Sequence, residues 1–110
     1  MESLAERQLK AYNSRDLEAF CACYHQDIEV FRNLGEGPST NGLGQFREIY
    51  RDRFEKSPEL KCTIKNRIVL ENSVIDEEHV TGLVGNPNGL HVVAIYGFRD
   101  GLISQVWFAR

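Results

Sequence analysis

From Leu60 to Arg110 the sequence carries strand periods broken only by turn residues, whereas the half before it is mainly helical in period. That division limits the fold more than any other feature. "KCTIKNRIVLEN" reads as a long strand, "ENS" as a turn and "VIDEEHVTGLV" as the next strand. "GNPNG" is a turn of Gly, Pro and Asn, residues that supply or preset turn dihedrals. "LHVVAIYGFR" and "LISQVWFAR" flank Asp100-Gly101. A two-residue loop of that kind favours a type I′ hairpin, because both central residues need positive φ.

In the first half, Leu4, Ala5, Gln8, Leu9 and Tyr12 form one helical stripe, broken at Asn13 and Ser14. Asp16 suits an N-cap for a short second helix with Leu17, Phe20, Cys21 and Tyr24 on its buried side. "DIEVFRN" alternates as a strand does, and "LGEGPSTNG" is a loop by its Gly, Pro and Asn content. A third helix runs from about Leu43 with Phe46, Ile49, Tyr50 and Phe54 at helical spacing. It stops before Pro58, since the residue preceding proline avoids the helical region. Helices followed by a run of antiparallel strands indicate an α+β fold with the helices on one face of the sheet. A sheet of this length covered by three helices curls and leaves a hollow.

A straight two-residue hairpin pairs Phe98 with Ile103, Tyr96 with Gln105 and Ala94 with Trp107. One face then carries Tyr96, Phe98 and Trp107, and the other Val93, Ile95, Val106 and Phe108. Both faces are largely apolar, unlike a sheet wetted on one side. The first needs cover that one small domain lacks. A homodimer packed sheet to sheet through Tyr96, Phe98 and Trp107 is the expectation.

At 110 residues the chain suffices for one domain, residues 1–110, with one modest core. A net charge of -3 argues against nucleic acid as partner, which calls for a basic stripe. No apolar run approaches the ~20 residues that cross a bilayer. The charged start "MESLAERQLKAY" lacks the apolar stretch of a secretory signal. Cys21, Cys23 and Cys62 are odd in number and lack ligand spacing, so reduced thiols in a cytoplasmic compartment are expected. His25, His79 and His91 show no short ligand spacing either, and no metal site is expected.

The strings "AYNSRDLEAFCACYHQDIEV", "NGLGQFREIY", "VIDEEHVTG" and "VAIYGFRDGLISQVWF" resemble the nuclear transport factor 2-like superfamily, which includes ketosteroid isomerases and SnoaL-like polyketide cyclases. The resemblance runs from about Leu4 to Phe108 and is specific for fold rather than activity, because this fold serves unrelated chemistries. It implies a cone-shaped, curved antiparallel sheet wrapped around three N-terminal helices, a deep apolar pocket and frequent dimerisation through the sheet. Laid on this chain, the isomerases' oxyanion-hole tyrosine falls at Gln8 and their general-base aspartate at Arg32. Their second oxyanion donor falls near Ala94 or Ile95. All three are replaced, which removes that isomerase mechanism. Tyr24 and Tyr50 match aromatic positions beside the oxyanion hole.

Six residues are candidates for a site. Gln8 interrupts an apolar stripe, and a buried amide must be hydrogen-bonded. It either presents its amide to a ligand carbonyl beside Tyr24 and Tyr50, or bonds to backbone or water at the stripe's edge. Arg32, at the end of the first strand, either selects a carboxylate or phosphate or reaches solvent or a local acid. Asp76 and Glu78 share a strand face with Val74 and Val80, the face that the resemblance turns toward the pocket. A one-residue slip would reverse that assignment. An acid in an apolar hollow has a raised pKa and can serve as general acid or base. Asp76 is the leading catalytic candidate, or else the ion-pair partner of Arg32. Against these readings, the acids simply solubilise an accessible strand.

Two functions compete. In the first, the hollow binds a small apolar or mixed-polarity ligand, with or without cofactor-free acid–base chemistry such as isomerisation, hydration or cyclisation. In the second, the chain is a non-catalytic dimerisation or interaction module whose hollow is filled by its own side chains. A connected cavity of roughly 300 Å³ or more separates them.

Overall fold

The computed structural model describes residues 1–110. Its elements run α1 (Glu2–Ser14), α2 (Leu17–Cys21), β1 (Tyr24–Phe31), β2 (Thr40–Asn41), α3 (Leu43–Lys56), β3 (Lys61–Val69), β4 (Ser73–Thr81), β5 (Leu90–Arg99) and β6 (Leu102–Ala109). The strands form one six-stranded sheet in the order β2-β1-β6-β5-β4-β3. Pairing is antiparallel except between β1 and β6, which run parallel, so the expected all-antiparallel sheet has one parallel seam.

The helices form where apolar spacing and caps agree. Leu4, Ala5, Gln8 and Ala11 are the buried residues of α1, which ends at Arg15 in the left-handed region. The Asp16 side chain accepts from the Ala19 N–H and caps α2, as expected. That helix closes at Cys21, sooner than the sequence suggests, and Tyr24 opens β1 instead of lying on a helix face. His25 follows Tyr24 in the same strand. A packed aromatic group joins the helices: Phe20 stacks on Phe46 at 5.6 Å and meets Tyr24 and Tyr50 at 4.9 and 4.8 Å. Burial of each such ring stabilises the fold by roughly 1.5–3 kcal/mol.

Asn13 joins helix to sheet. Its side-chain amide donates to the Cys62 carbonyl at 3.0 Å, and its oxygen accepts from the Cys62 N–H at 2.7 Å. One side chain thus imitates a neighbouring strand on the open edge of β3.

Two β-bulges decide which side chains face the helices. The Asp100-Gly101 turn has both φ values positive, 56° and 74°, and Phe98 pairs with Ile103 as expected. Beyond that pair the register slips by one residue, so that Tyr96 lies opposite Val106 and Ala94 opposite Phe108. The slip overturns the expected faces. Tyr96 is buried in the core and Phe98 packs against it, whereas Trp107 stays on the outer face, stacked on Phe31 at 3.8 Å. In β3 a second slip falls between Ile64 and Asn66. Cys62 faces inward before it, and Arg67 stands opposite the buried Asp76 after it.

Candidate functional site

Between the helices and the concave face of the sheet lies a hollow of about 990 Å³. Its walls include Leu9, Tyr12 and Phe20 from the helices and Val80, Val92 and Phe108 from the sheet. Four of the six residues singled out in the sequence, Gln8, Tyr24, Tyr50 and Glu78, are buried along this wall, and Arg32 lies exposed at its rim.

The polar groups at the floor form one connected chain. The Tyr24 hydroxyl donates to Gln8 Oε1 at 3.0 Å. Gln8 Nε2 donates to the Ala5 carbonyl at 3.1 Å and toward Tyr96 Oη at 3.3 Å. The Tyr96 hydroxyl donates to Glu78 Oε2 at 3.2 Å. No buried side-chain polar atom is left without a partner. Burial pushes the Tyr24 and Tyr96 phenols well above their ordinary range, so both remain protonated donors. Gln8, onto which the resemblance sets the isomerases' tyrosine, thus meets a phenol hydroxyl brought from β5 by Tyr96.

Glu78 is the acid of the hollow. Burial is the main cause that lifts its pKa from an ordinary 4.5 to about 7, and the nearby Asp76 carboxylate adds to it. The Tyr96 hydrogen bond and the Arg67 charge oppose the shift without cancelling it. Cys62, another lining residue, has its thiol pushed upward first by burial and then by Glu78 and Asp76, which leaves it neutral.

Asp76 occupies a different environment from the one expected of a catalytic base. It is 0% exposed, and the hollow's lining passes it by. Arg67 grips both of its oxygens, Nε to Oδ1 at 2.6 Å and Nη2 to Oδ2 at 2.9 Å. The same guanidinium reaches Glu6 on α1. Its neighbours hold Arg67 charged, the hydrogen bond to Asp76 being the largest influence. The expected Asp76–Arg32 pair does not form. Arg32 instead lies over the Phe108 ring, 5.1 Å from its centroid. Tyr50 supports the guanidinium of Arg53 at 4.6 Å.

A family model described as "SnoaL-like domain" matches residues 5–106. The chain belongs to the SnoaL-like family. Solved structures place this SnoaL-like domain within the wider nuclear transport factor 2-like and cystatin-like folds. An uncharacterised cystatin-fold protein from Novosphingobium aromaticivorans is 26% identical, with 98% of this chain and 96% of that one covered at a TM-score of 0.87. A candidate polyketide cyclase from Sinorhizobium meliloti is 11% identical, covering 97% and 94% at 0.81. A candidate ketosteroid isomerase from Kribbella flavida is 20% identical, covering 96% and 73% at 0.78. No curated protein matches the chain. The last two likenesses carry the fold alone.

Three residues of this SnoaL-like domain escaped the sequence reading as members of the site. Arg67 is turned inward by the β3 bulge, which alternation along a strand cannot reveal, and Tyr96 shares the buried β5 face of Val92 and Ala94, the face expected at the dimer contact. Arg53 sits in the last turn of α3, where a basic residue is ordinary, and nothing in the local string marks it as facing the hollow.

Proposed function

We propose that this SnoaL-like domain binds a small molecule of mixed polarity in the hollow and moves a proton on it through Glu78. The observation that carries the reading is a buried carboxyl group, that of Glu78, on the cavity wall among Cys62, Val80, Val92 and Tyr96, with a pKa of about 7. Such a group is efficient in both directions near neutral pH, since it is substantially ionised yet still a useful base. Tyr96 donates to the carboxylate, and the Tyr24–Gln8–Tyr96 chain fixes the direction of that hydroxyl. Gln8 and Tyr24 are thus positioning residues. Arg67 pairs with Asp76 behind the wall, and the Asp76 carboxylate nearby holds Glu78 less acidic. Isomerisation, hydration and cyclisation are reactions of this class and ask for no redox or group-carrying cofactor. Structural relatives named as candidate isomerase and cyclase agree with it.

The test is a screen of unsaturated and cyclic ketones for turnover, followed by Glu78→Gln. The variant is expected to lose about 10²–10⁴-fold in kcat/KM. The native profile of kcat/KM should rise with pH through about 7, as the base ionises. Full activity in Glu78→Gln would exclude the assignment.

The dimerisation reading rests on a separate observation, the Phe31–Trp107 stack on the outer sheet face. Together with Ile75 and Ile95 it leaves an apolar strip there, and pairing of two copies across this strip is compatible with a working hollow behind it.

A further inference from the structure

The charged groups around the hollow run against the balance of the whole chain. Acids outnumber bases 16 to 13 overall, yet the lining holds Arg32, Arg53 and Arg110 against Asp52 and Glu78. Asp52 is already taken, paired with Lys56 at 2.9 Å. Neither Arg32 nor Arg53 forms an ion pair with any carboxylate of the protein. Each guanidinium instead lies over an aromatic ring, Arg32 over Phe108 and Arg53 over Tyr50. Ring contact holds a guanidinium in place through its face, and its five N–H donors leave some to spare for a ligand. Arg53 is half-buried with the Tyr12 and Tyr50 phenols as its polar partners, so it has given up water without gaining a carboxylate. A basic residue in the last turn of α3 would be served by Lys56 alone, which faces solvent.

Burial also orders the site along its depth. Arg32 is exposed, Arg53 half-buried, and Glu78 and Tyr96 fully buried. We propose that the ligand is an organic anion: a carboxylate at the mouth, held by Arg53 and Arg32, on an apolar ring body that lies against Val80, Val92 and Phe108. This deepens the proposed function and rests on it, because the anionic head fixes which end of the molecule reaches Glu78. A guanidinium recognises a planar carboxylate through paired N–H donors. The apolar wall below rejects a second charge, so a molecule with one acidic end fits and a dianion does not.

The experiment compares 2-naphthoate with its neutral isostere 2-naphthamide by titration calorimetry on the purified native protein. Naphthoate is expected to bind about tenfold tighter or better, a difference on the scale of a charge-assisted hydrogen bond. Added salt should weaken naphthoate and leave naphthamide unchanged. Arg53→Gln should bring the two ligands to within about twofold of each other. Should that variant fail to fold, Arg32→Gln at an exposed position and the salt series on native protein decide the matter. Equal or tighter binding of naphthamide, or a preference that survives both substitutions, would overturn the anion proposal and leave the pocket reading standing. Failure of both ligands to bind at low millimolar concentration would overturn the two together.

Discussion

Glu78 and Asp76 are two residues apart on one strand face, both buried, and chemically opposite. The difference comes from neighbours on other elements. Arg67 neutralises Asp76, while Glu78 faces the hollow with a phenol as its hydrogen-bond donor. The sequence marks both as inward-facing acids on an apolar face, and that much was legible. Their ranking was not, because it depends on which residue of the next strand stands opposite. A stability test follows from the raised pKa of Glu78. Below pH 4.5 the group is protonated in both folded and unfolded chains and costs nothing. As pH rises toward 7 the unfolded chain ionises it freely while the folded chain resists, so stability is lost across that window. Glu78→Gln mimics the protonated form. It should match native stability at pH 4 and exceed it above pH 7 by on the order of 2–3 kcal/mol, measured by urea denaturation at each pH.

At the scale of elements, order and type of helices and strands follow from periodicity and caps, and the observed α3, β4 and the Asp100-Gly101 hairpin agree closely with it. What periodicity cannot show is a bulge. Each one adds a residue and reverses the side chains beyond it on its own strand, which is how Trp107 on β6 parted from the face of Tyr96 and stayed outside. The β3 bulge likewise reverses Arg67. It exposes Ile68 at 46% while sending a guanidinium inward, the reverse of what hydrophobicity suggests. The Glu6–Arg67–Asp76 group then ties α1 to β3 and β4. Arg67→Met strands the Asp76 charge and should cost about 3–5 kcal/mol in chemical denaturation. Adding Asp76→Asn to that variant should recover much of the loss, a coupling that a double-mutant cycle reads directly.

For the whole molecule, helices on one side and a curled sheet on the other produce a hollow because three helices do not cover six strands. The outer face of the same sheet keeps Trp107 and Phe31 together with Ile75 and Ile95. Sedimentation equilibrium at micromolar concentration should give a dimer for the native chain, and Trp107→Glu should shift it to monomer without loss of secondary structure. A native monomer would remove the sheet-to-sheet contact and leave the hollow unaffected. The central claim concerns the acid inside that hollow, and it can be tested without a substrate. With glutamate labelled at its side-chain carboxyl carbon, the Glu78 resonance can be assigned by its absence in Glu78→Gln and followed by NMR from pH 3 to 9. A midpoint near 7 is predicted. A midpoint near 4.5 would show an ordinary solvated carboxylate and contradict the account.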